Sequence, residues 1–251
     1  MHATGAIEKA AEILRASRHA IVLTGAGHST PSGIPDFRSP KSGMWEKYDP
    51  MVVASIQSFR AHPEAFYDWI RPLAVQTAAA KPNPAHYALA RLESLGILKA
   101  IITQNIDDLH AKAGSQRVLE LHGSLRTASC IGCGRTVKGA PLIKKFVDDG
   151  QVPVCSCGGI MKPDVVLFGE MLPMAVLMEA EAEARQCDAM LVAGSSLEVY
   201  PAANLPFIAQ ERGAKLIVVN LQPTPADSLA DVVIHDDVAV ALPQIAHLCG
   251  A

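Results

Sequence analysis

Short apolar runs alternate along this chain with longer segments of helical periodicity. The runs predict five strands, at 20–23, 100–102, 189–193, 216–219 and 232–234. They are continuously apolar, which is typical of strands covered on both faces. Helical patterns lie between them, near 4–16, 83–94, 173–186, 202–211 and 238–248. This alternation predicts an α/β fold with a doubly wound, mostly parallel sheet of the Rossmann type.

Two segments fall outside the alternation. Residues 38–80 contain both tryptophans and several other aromatic residues, and they predict a helical insertion. Residues 128–160 contain four cysteines and few candidate core residues. We therefore expect a Rossmann-like dinucleotide-binding domain made of residues 1–37, 81–127 and 161–251. The insertion and the cysteine-containing module would form a smaller lobe.

Polar residues and glycines follow four of the predicted strands. These segments are Gly25-Ala26-Gly27, Thr103-Gln104-Asn105, Gly194-Ser195-Ser196 and Asn220. Because ligands bind at the carboxyl ends of the strands in doubly wound sheets, we expect the four segments to converge on one crevice. The first segment has the Gly-x-Gly spacing of a dinucleotide loop, but Thr30 occupies the third glycine position and no regular helix start follows.

The cysteines of the module form two close pairs. Cys130 and Cys133 enclose two residues, Cys155 and Cys157 enclose one residue, and 21 residues separate the pairs. Such pairs beside glycines predict a four-thiolate Zn²⁺ site, which is structural because protein fills every position. A redox pair and free thiols are the alternatives.

Composition and charge narrow the choice of function. The net charge of −3 argues against nucleic acid as the main partner. No apolar run approaches the roughly 18 residues of a membrane span, and the charged N-terminal segment lacks the apolar core of a secretory signal. We therefore expect a cytoplasmic protein.

Two segments carry candidate catalytic residues. Thr103-Gln104-Asn105-Ile106-Asp107-Asp108-Leu109-His110 follows a buried strand, and His122-Gly123 follows another short apolar run. With an unperturbed pKa near 6.5, a histidine at His122 could serve as a general base at neutral pH. A lone histidine is more often structural, and the pattern alone leaves both readings open.

Taken together, these motifs resemble those of the sirtuins, a family of NAD-dependent protein-lysine deacylases. The motifs are Gly25-Ala26-Gly27, Ser29, Ser32-Gly33-Ile34-Pro35-Asp36-Phe37-Arg38, the segment from Thr103 to His110, His122-Gly123, the cysteine pairs and Gly194-Ser195-Ser196-Leu197. They occur in the family's order and spacing from about residue 5 to the end of the chain.

The resemblance implies NAD as co-substrate and one structural Zn²⁺ held by the four paired cysteines. It implies His122 and Asn105 as catalytic residues. The implied NAD-binding residues are Gly25, Ala26, Gly27, Ser29, Asp36, Phe37, Arg38, Gln104, Asn105, Ile106, Asp107, His122, Gly194, Ser195, Ser196, Asn220 and Val238.

The resemblance also implies a mechanism. Asp107 and the Ile106 backbone would hold the nicotinamide carboxamide, while Phe37 shields the reacting ribose from water. The acyl oxygen of the substrate would attack the ribose as nicotinamide leaves, and His122 would then take a proton from the ribose hydroxyls. The products would be free lysine, nicotinamide and an acylated ADP-ribose.

The implied substrate is an acyl-lysine peptide bound as an extended strand between two segments. Its contact residues would be Val165, Val166, Phe168, Gly169, Glu170, Leu197, Val199 and Tyr200. The alternative for Val165–Phe168 is a plain buried strand. No membrane and no direct nucleic-acid binding are expected.

At position 28 the chain departs from the family pattern. His28 lies at a position that is usually small or apolar in the family, and the sequence assigns it no role.

The resemblance also bears on the acyl group that is removed. Sirtuins that favour acidic acyl groups carry Tyr and Arg three residues apart. Here Tyr67 is followed at that distance by Ile70, so we expect acetyl and other neutral acyl groups. Two other functions are alternatives to a protein deacylase: a protein ADP-ribosyltransferase, and a non-catalytic NAD or ADP-ribose sensor.

Overall fold

The large sheet has six parallel strands, and every strand predicted from the apolar runs belongs to it. The computed structural model describes residues 3–37 and 43–250. In the order β3-β2-β1-β7-β8-β9, the strands pair in parallel throughout. Their bounds are β1 Ala20–Thr24, β2 Leu98–Thr103, β3 Val118–Glu120, β7 Ala189–Ala193, β8 Lys215–Val219 and β9 Val232–Ile234. The predicted α/β fold is therefore confirmed.

Helices cover both faces of this sheet, which explains why its strands are continuously apolar. One face packs against α1 Ala3–Ala16, α5 Pro84–Ser94 and α10 Val238–Leu248. The other packs against α8 Met174–Gln186 and α9 Leu205–Glu211. The predicted helix near 202–211 is divided, because a 3₁₀ turn over Ala202–Asn204 precedes α9. Pro206, which lacks an amide hydrogen, lies in the first turn of α9, where that loss is tolerated.

The segment 38–80 contributes short helices and one long helix to an aromatic core. Its helices are α2 Pro50–Val53, α3 Ile56–Ala61 and α4 Pro63–Ala79. Phe59, Phe66, Tyr67 and Trp69 are all buried there. Their rings meet edge to face or at a tilt, with centroids 5.2 to 6.1 Å apart.

The cysteine-containing module is built on a small antiparallel sheet. This sheet has the order β5-β4-β6 and consists of β4 Gly123–Cys130, β5 Thr136–Lys138 and β6 Met161–Val165. Helix α7, Gly139–Asp149, packs on it and inserts Phe146 against Tyr67 with ring centroids 4.9 Å apart. The remaining short helix, α6 Leu109–Lys112, follows β2. Within the described residues no helix combines the length and apolarity that crossing a membrane requires.

Candidate active site

The predicted polar segments converge at the carboxyl edge of the large sheet. Backbone hydrogen bonds join neighbouring strand ends, from Gln104 N to Thr24 O at 3.0 Å and from Gly25 N to Ala193 O at 3.3 Å. Asn220 N donates to Ile234 O at 3.1 Å at the far end of the row. The loops after β1, β2, β7 and β8 therefore border one crevice.

Glycines let the loop after β1 lie directly against the loop after β7. A Cβ at Gly25 would lie 2.8 Å from the carbonyl oxygen of Gly194, and one at Gly27 would lie 3.0 Å from it. Gly194 has a φ of +64°, and its Cβ would lie 2.3 Å from the amide nitrogen of His28. No larger residue fits at Gly194 without moving backbone, so this contact fixes the course of the nucleotide loop.

Asp107 is the centre of a buried hydrogen-bond network between the loops after β1 and β2. Ser29 Oγ donates to Asp107 Oδ2 at 2.6 Å, and Leu109 N donates to Asp107 Oδ1 at 2.9 Å. Asn105 Nδ2 donates to Ser29 Oγ and to Gly25 O, both at 3.0 Å. The network holds Asn105 and Asp107, two predicted site residues, in fixed orientations at the crevice.

The burial of Asp107 affects its charge. Removal from water raises the pKa of its carboxyl, while the hydrogen bonds from Ser29 and Leu109 act in the opposite direction. The carboxyl accepts hydrogen bonds from both neighbours. An acceptor held in this way suits an amide N–H donor such as a nicotinamide carboxamide.

His122 lies beside this network, and its tautomer follows from its contacts. The ring nitrogen Nδ1 is 2.9 Å from Gln104 O, and because a carbonyl only accepts, Nδ1 carries the proton. In the neutral ring Nε2 is then the acceptor nitrogen, as a general base requires. Gly123 follows with a φ of +71°, and a Cβ there would lie 2.0 Å from Asp164 O. The strand β6 therefore approaches the chain directly behind the histidine.

The other half of the crevice carries the predicted adenosine-binding residues. Gln104 Nε2 donates to Ser195 Oγ at 2.9 Å, which joins the two halves of the site. Asn220 is buried and donates from Nδ2 to Gln222 O at 2.7 Å. Ser196 is half-buried beside them, and Val238 is buried at the start of α10. Hydroxyl and amide groups around glycine backbone suit a ribose and a pyrophosphate.

Phe37 packs against the aromatic core that the insertion forms. Its ring stacks on Trp45 at 5.1 Å, and Trp45 stacks on Trp69 at 5.6 Å. The carbonyl oxygens of Asp36 and Phe37 accept hydrogen bonds from Met44 N and Trp45 N, both at 3.0 Å. The expected shielding of the ribose by Phe37 stays a prediction. Arg38 lies outside the described residues.

The predicted peptide-binding residues form two separate segments. Val165 ends β6 and is buried, whereas Val166 N leaves the strand and donates to His122 O at 2.8 Å. Phe168 pairs with the segment before α3, since its amide donates to Ala54 O at 2.9 Å. The buried strand β6 therefore ends at Val165, and the stretch from Val166 to Phe168 does not continue it.

An ion pair with hydrogen bonds to the backbone holds the end of this segment. Lys162 Nζ, which is largely buried, donates to Val165 O at 2.7 Å and pairs with Glu170 Oε2 at 3.0 Å. The same carboxylate accepts from Leu167 N at 2.9 Å. Gly169, between Phe168 and Glu170, has a φ of +86° and is exposed.

The second peptide-binding segment follows β7. Leu197 is buried with a φ of 56°, an unusual conformation for a leucine. Val199 is half-buried, and Tyr200 is 63% exposed. The segment therefore offers exposed apolar surface at the rim of the crevice.

The four paired cysteines form a cluster that fits Zn²⁺. Their sulfurs all lie within 4.8 Å of one another. Cys130 Sγ is 3.5 Å from Cys157 Sγ, and Cys133 Sγ is 3.8 Å from Cys155 Sγ. A tetrahedral site with Zn–S bonds of about 2.3 Å separates its sulfurs by roughly 3.8 Å, so the donor set matches. The short spacing of Cys155 and Cys157 does not prevent this geometry.

Three buried histidines were not connected by sequence reasoning. The structure packs His28, to which the sequence assigned no role, against His86 and His110. Burial lowers the pKa of His86 to about 4 and that of His110 to about 3, and it lowers the pKa of His28 well below its usual value. These residues are far apart in the chain, and no spacing rule could have joined them.

The comparison with known proteins agrees with this geometry. The family model described as Sir2 family matches residues 25–201. The chain belongs to the Sir2 family. This sirtuin is 53% identical over 241 residues to an NAD-dependent protein deacylase of Archaeoglobus fulgidus, which covers 95% of this chain and 94% of the relative. It is 46% identical over 238 residues to an NAD-dependent protein deacetylase of Sulfolobus acidocaldarius, covering 95% and 93%.

Solved structures give the same result. A structure concerned with the mechanism and regulation of Sir2 enzymes matches with a TM-score of 0.93 and 51% identity, over 98% of both chains. A Sir2 complex with a p53 peptide and NAD⁺ matches with a TM-score of 0.87 and 42% identity, over 95% of this chain and 96% of the other. The protein is therefore an NAD-dependent protein deacylase of the sirtuin fold, with a cysteine cluster suited to structural zinc.

Proposed function

We propose that this sirtuin removes acetyl and other neutral acyl groups from lysine side chains of proteins, with His122 as the general base. The observation that carries the proposal is the hydrogen bond of 2.9 Å between His122 Nδ1 and Gln104 O. It fixes the tautomer in which Nε2 is the acceptor nitrogen, and it joins the ring to the residue directly before Asn105. A sensor of NAD has no need of a base held in this tautomer.

The residues of the crevice suit NAD as the co-substrate. When bound, NAD supplies an activated ribose carbon that can accept an acyl oxygen. The backbone of Gly25, Ala26 and Gly27 would hold the pyrophosphate, as glycine allows close approach. The adenosine half would lie against Gly194, Ser195, Ser196, Asn220 and Val238.

The residues at the reacting end have separate tasks. Asp107 and the Ile106 backbone would bind the carboxamide of the nicotinamide. Gln104 and Asn105 would hold the ribose and a water molecule. His122 Nε2 would accept a proton from a ribose hydroxyl, a contribution that is typically worth about 10²–10⁴-fold in rate. Phe37 would shield the reacting ribose from water, Arg38 would help to order the loop and the phosphates, and Asp36 would belong to the same NAD-binding segment.

The substrate would be an extended peptide that carries an acyl-lysine. It would lie between the segment from Val165 to Glu170 and the segment from Leu197 to Tyr200, with main-chain hydrogen bonds giving most of the affinity. The contacts of Lys162 and Glu170 support this placement because they hold the backbone of the first segment at Val165 and Leu167. Cytoplasmic localisation is proposed because reduced thiolates are needed for the cysteine cluster.

The preference for neutral acyl groups rests on the side chains of α4. Tyr67 is buried, and its hydroxyl donates to Met161 O at 2.5 Å. Ile70 is buried in the aromatic core, and Arg71 donates to Val147 O at 2.5 Å. Ile70 has no polar group to pair with an acyl carboxylate, and the Tyr67 hydroxyl and Arg71 Nη2 already donate to backbone carbonyls. A succinyl peptide hydrolysed faster than the matched acetyl peptide would contradict this preference.

One assay separates the proposed function from its alternatives. The protein is incubated with NAD and an acetyl-lysine peptide, and nicotinamide, deacetylated peptide and labelled protein are measured. Peptide-dependent nicotinamide release with deacetylation supports the proposal. Transfer of ADP-ribose to protein without deacetylation would indicate a transferase, and binding of NAD without turnover would indicate a sensor.

A further inference from the structure

The cluster of His28, His86 and His110 joins the loop after β1 to two helices. The three rings come from the loop after β1, the first turn of α5 and helix α6. Their centroids are 4.6, 4.9 and 5.0 Å apart, and each residue offers a ring nitrogen within 4.8 Å of the other two. All three residues are buried, with exposed fractions of 0, 0 and 2%.

The hydrogen bonds of the cluster leave ring nitrogens unmatched. Both nitrogens of His28, Nε2 of His86 and Nδ1 of His110 have no hydrogen-bond partner among the residues that the structure describes. Buried polar groups are nearly always satisfied in folded proteins, because an unsatisfied one is costly. Four unmatched nitrogens in one place therefore indicate a ligand that binds between the rings.

The tautomer of His110 leaves a lone pair for such a ligand. Thr24 Oγ1 donates its single proton to Thr103 Oγ1 at 2.8 Å, so it accepts from His110 Nε2 at 2.9 Å. The proton of the neutral ring is thus on Nε2, and Nδ1 carries the lone pair. Burial lowers the pKa of all three rings, which favours the neutral form that binds metals.

Asn83 holds two of the three histidines in place. Its side chain caps α5, accepting from Ala85 N at 2.9 Å, and its Nδ2 donates to His28 O at 2.9 Å. Its backbone N–H donates to His86 Nδ1 at 3.3 Å. The side chain of Asn83 therefore joins the backbone of His28 to the first turn of α5, which carries His86, and this link involves no ring nitrogen.

We propose that His28, His86 and His110 form a second metal site, which binds a late first-row divalent cation such as Zn²⁺ or Co²⁺. Imidazole is a preferred ligand of these ions, and three histidines with one open position make a known zinc geometry. Zn–N bonds of about 2.0–2.1 Å require nitrogens roughly 3.4 Å apart, so the nitrogens, which lie within 4.8 Å of one another, must move closer when the metal binds. The site is separate from the cysteine cluster and differs in its ligand type.

The protons balance in this binding step. His110 binds through Nδ1 and keeps its proton on Nε2, and His28 binds through either nitrogen and keeps its proton on the other. His86 binds through Nε2, so its ring proton moves to Nδ1 and the 3.3 Å contact with Asn83 N is lost. No proton is released. The metal would fix the loop one residue before Ser29, at the edge of the proposed NAD site.

The test is metal content and metal position in the full-length protein. Protein treated with excess Zn²⁺ and washed is expected to retain two zinc ions per chain. His28→Leu, which fills the buried space with an apolar group, should retain one, and the exposed control His247→Ala should retain two. A crystal soaked in Zn²⁺ should show an anomalous peak between the three imidazoles.

Two results would overturn the proposal. The first is that wild type and His28→Leu both retain only one zinc ion, and the second is that the crystal shows a water without anomalous signal between the rings. If His28→Leu does not fold, the anomalous map of the wild type still decides. If wild type treated with excess Zn²⁺ retains one zinc ion and still deacetylates peptide normally, the second site is refuted and the proposed function stands.

Discussion

At the scale of single residues, the site depends on side chains whose hydrogen bonds fix their direction. His122 illustrates this, because Gln104 O selects its tautomer while the neighbouring Gly123 lets β6 pass close behind it. Both features can be tested by substitution, one through activity and one through stability.

Replacement of His122 should abolish most of the activity. We expect His122→Ala to lower kcat/KM for an acetyl peptide by at least about 10²–10⁴-fold, the usual contribution of a general base. The exposed His247→Ala is the matched control and should keep wild-type activity. NAD binding measured by calorimetry should persist in His122→Ala. Full activity of this variant would exclude His122 as the base.

Gly123 should tolerate no side chain. A Cβ there would lie 2.0 Å from Asp164 O, and the φ of +71° adds backbone strain. We expect Gly123→Ala to lower the free energy of unfolding by more than about 3 kcal/mol. Gly213→Ala has a similar φ of +87° with nothing within 4 Å, and it should cost only about 1 kcal/mol. Equal losses in urea denaturation would contradict the proposed clash.

Sequence reasoning reached the site residues by motif, but it could not reach contacts between distant segments. The strand ends were located because apolar runs followed by glycine or amide residues are a local signal. The cluster of His28, His86 and His110 has no local signal, since its members come from three elements. The ring of Phe37 likewise stacks on Trp45, a contact set by tertiary packing.

At the scale of elements, a buried carboxylate holds α8 against the edge of the large sheet. Glu183 accepts from Arg117 at 2.7 Å and lies 2.7 Å from His19 Nε2, so it joins α8 to the segments before β1 and β3. Burial raises the pKa of Glu183, but the hydrogen bonds from His19 and Arg117 outweigh this effect, and the pKa lies below its usual value. The ionised form therefore stabilises the folded protein.

This shift predicts an acid-dependent loss of stability. Because the folded-state pKa is lowered, the contribution of Glu183 is complete above the unfolded pKa of about 4.3 and is lost as the pH falls through the folded-state value. At pH 7, Glu183→Gln should destabilise by about 1–3 kcal/mol, and the difference from wild type should shrink below about pH 4. The exposed Glu211→Gln should match wild type at every pH. A difference that grows in acid would contradict the assignment.

Five strands of the large sheet were predictable, whereas its edge strand β3 and the strands of the small sheet were not. The five are covered on both faces, so their apolar runs are continuous, but β3 is short, ends in Glu120 and is only partly buried. Strand β4 alternates buried and half-exposed residues, and β5 is mostly exposed. Strands of this kind give a weak hydrophobic signal. Helix α7 was missed for a similar reason, since few of its residues are buried.

At the scale of the whole molecule, β4 connects the cysteine cluster to the catalytic crevice. The strand begins at Gly123, directly after His122, and ends at Cys130, whose sulfur belongs to the cluster. The large sheet has its own two apolar cores, which include no residue of the module. Loss of the metal should therefore reach the active site along β4 and leave the large sheet folded.

Removal of zinc should separate catalysis from nucleotide binding. A chelator, or Cys133→Ser, should disorder the small sheet, because a structural site contributes folding energy directly. We expect deacetylation to fall by at least about tenfold, since His122 and the peptide segment after β6 both depend on that sheet. ADP-ribose binding should persist, because Gly25, Ser195 and Asn220 belong to loops of the large sheet. Cys187→Ser, a buried cysteine outside the cluster, is the control and should keep both properties. If chelation abolished nucleotide binding in the same step, the two parts would form one cooperative unit, and the separation of the large sheet from the cysteine cluster would be wrong.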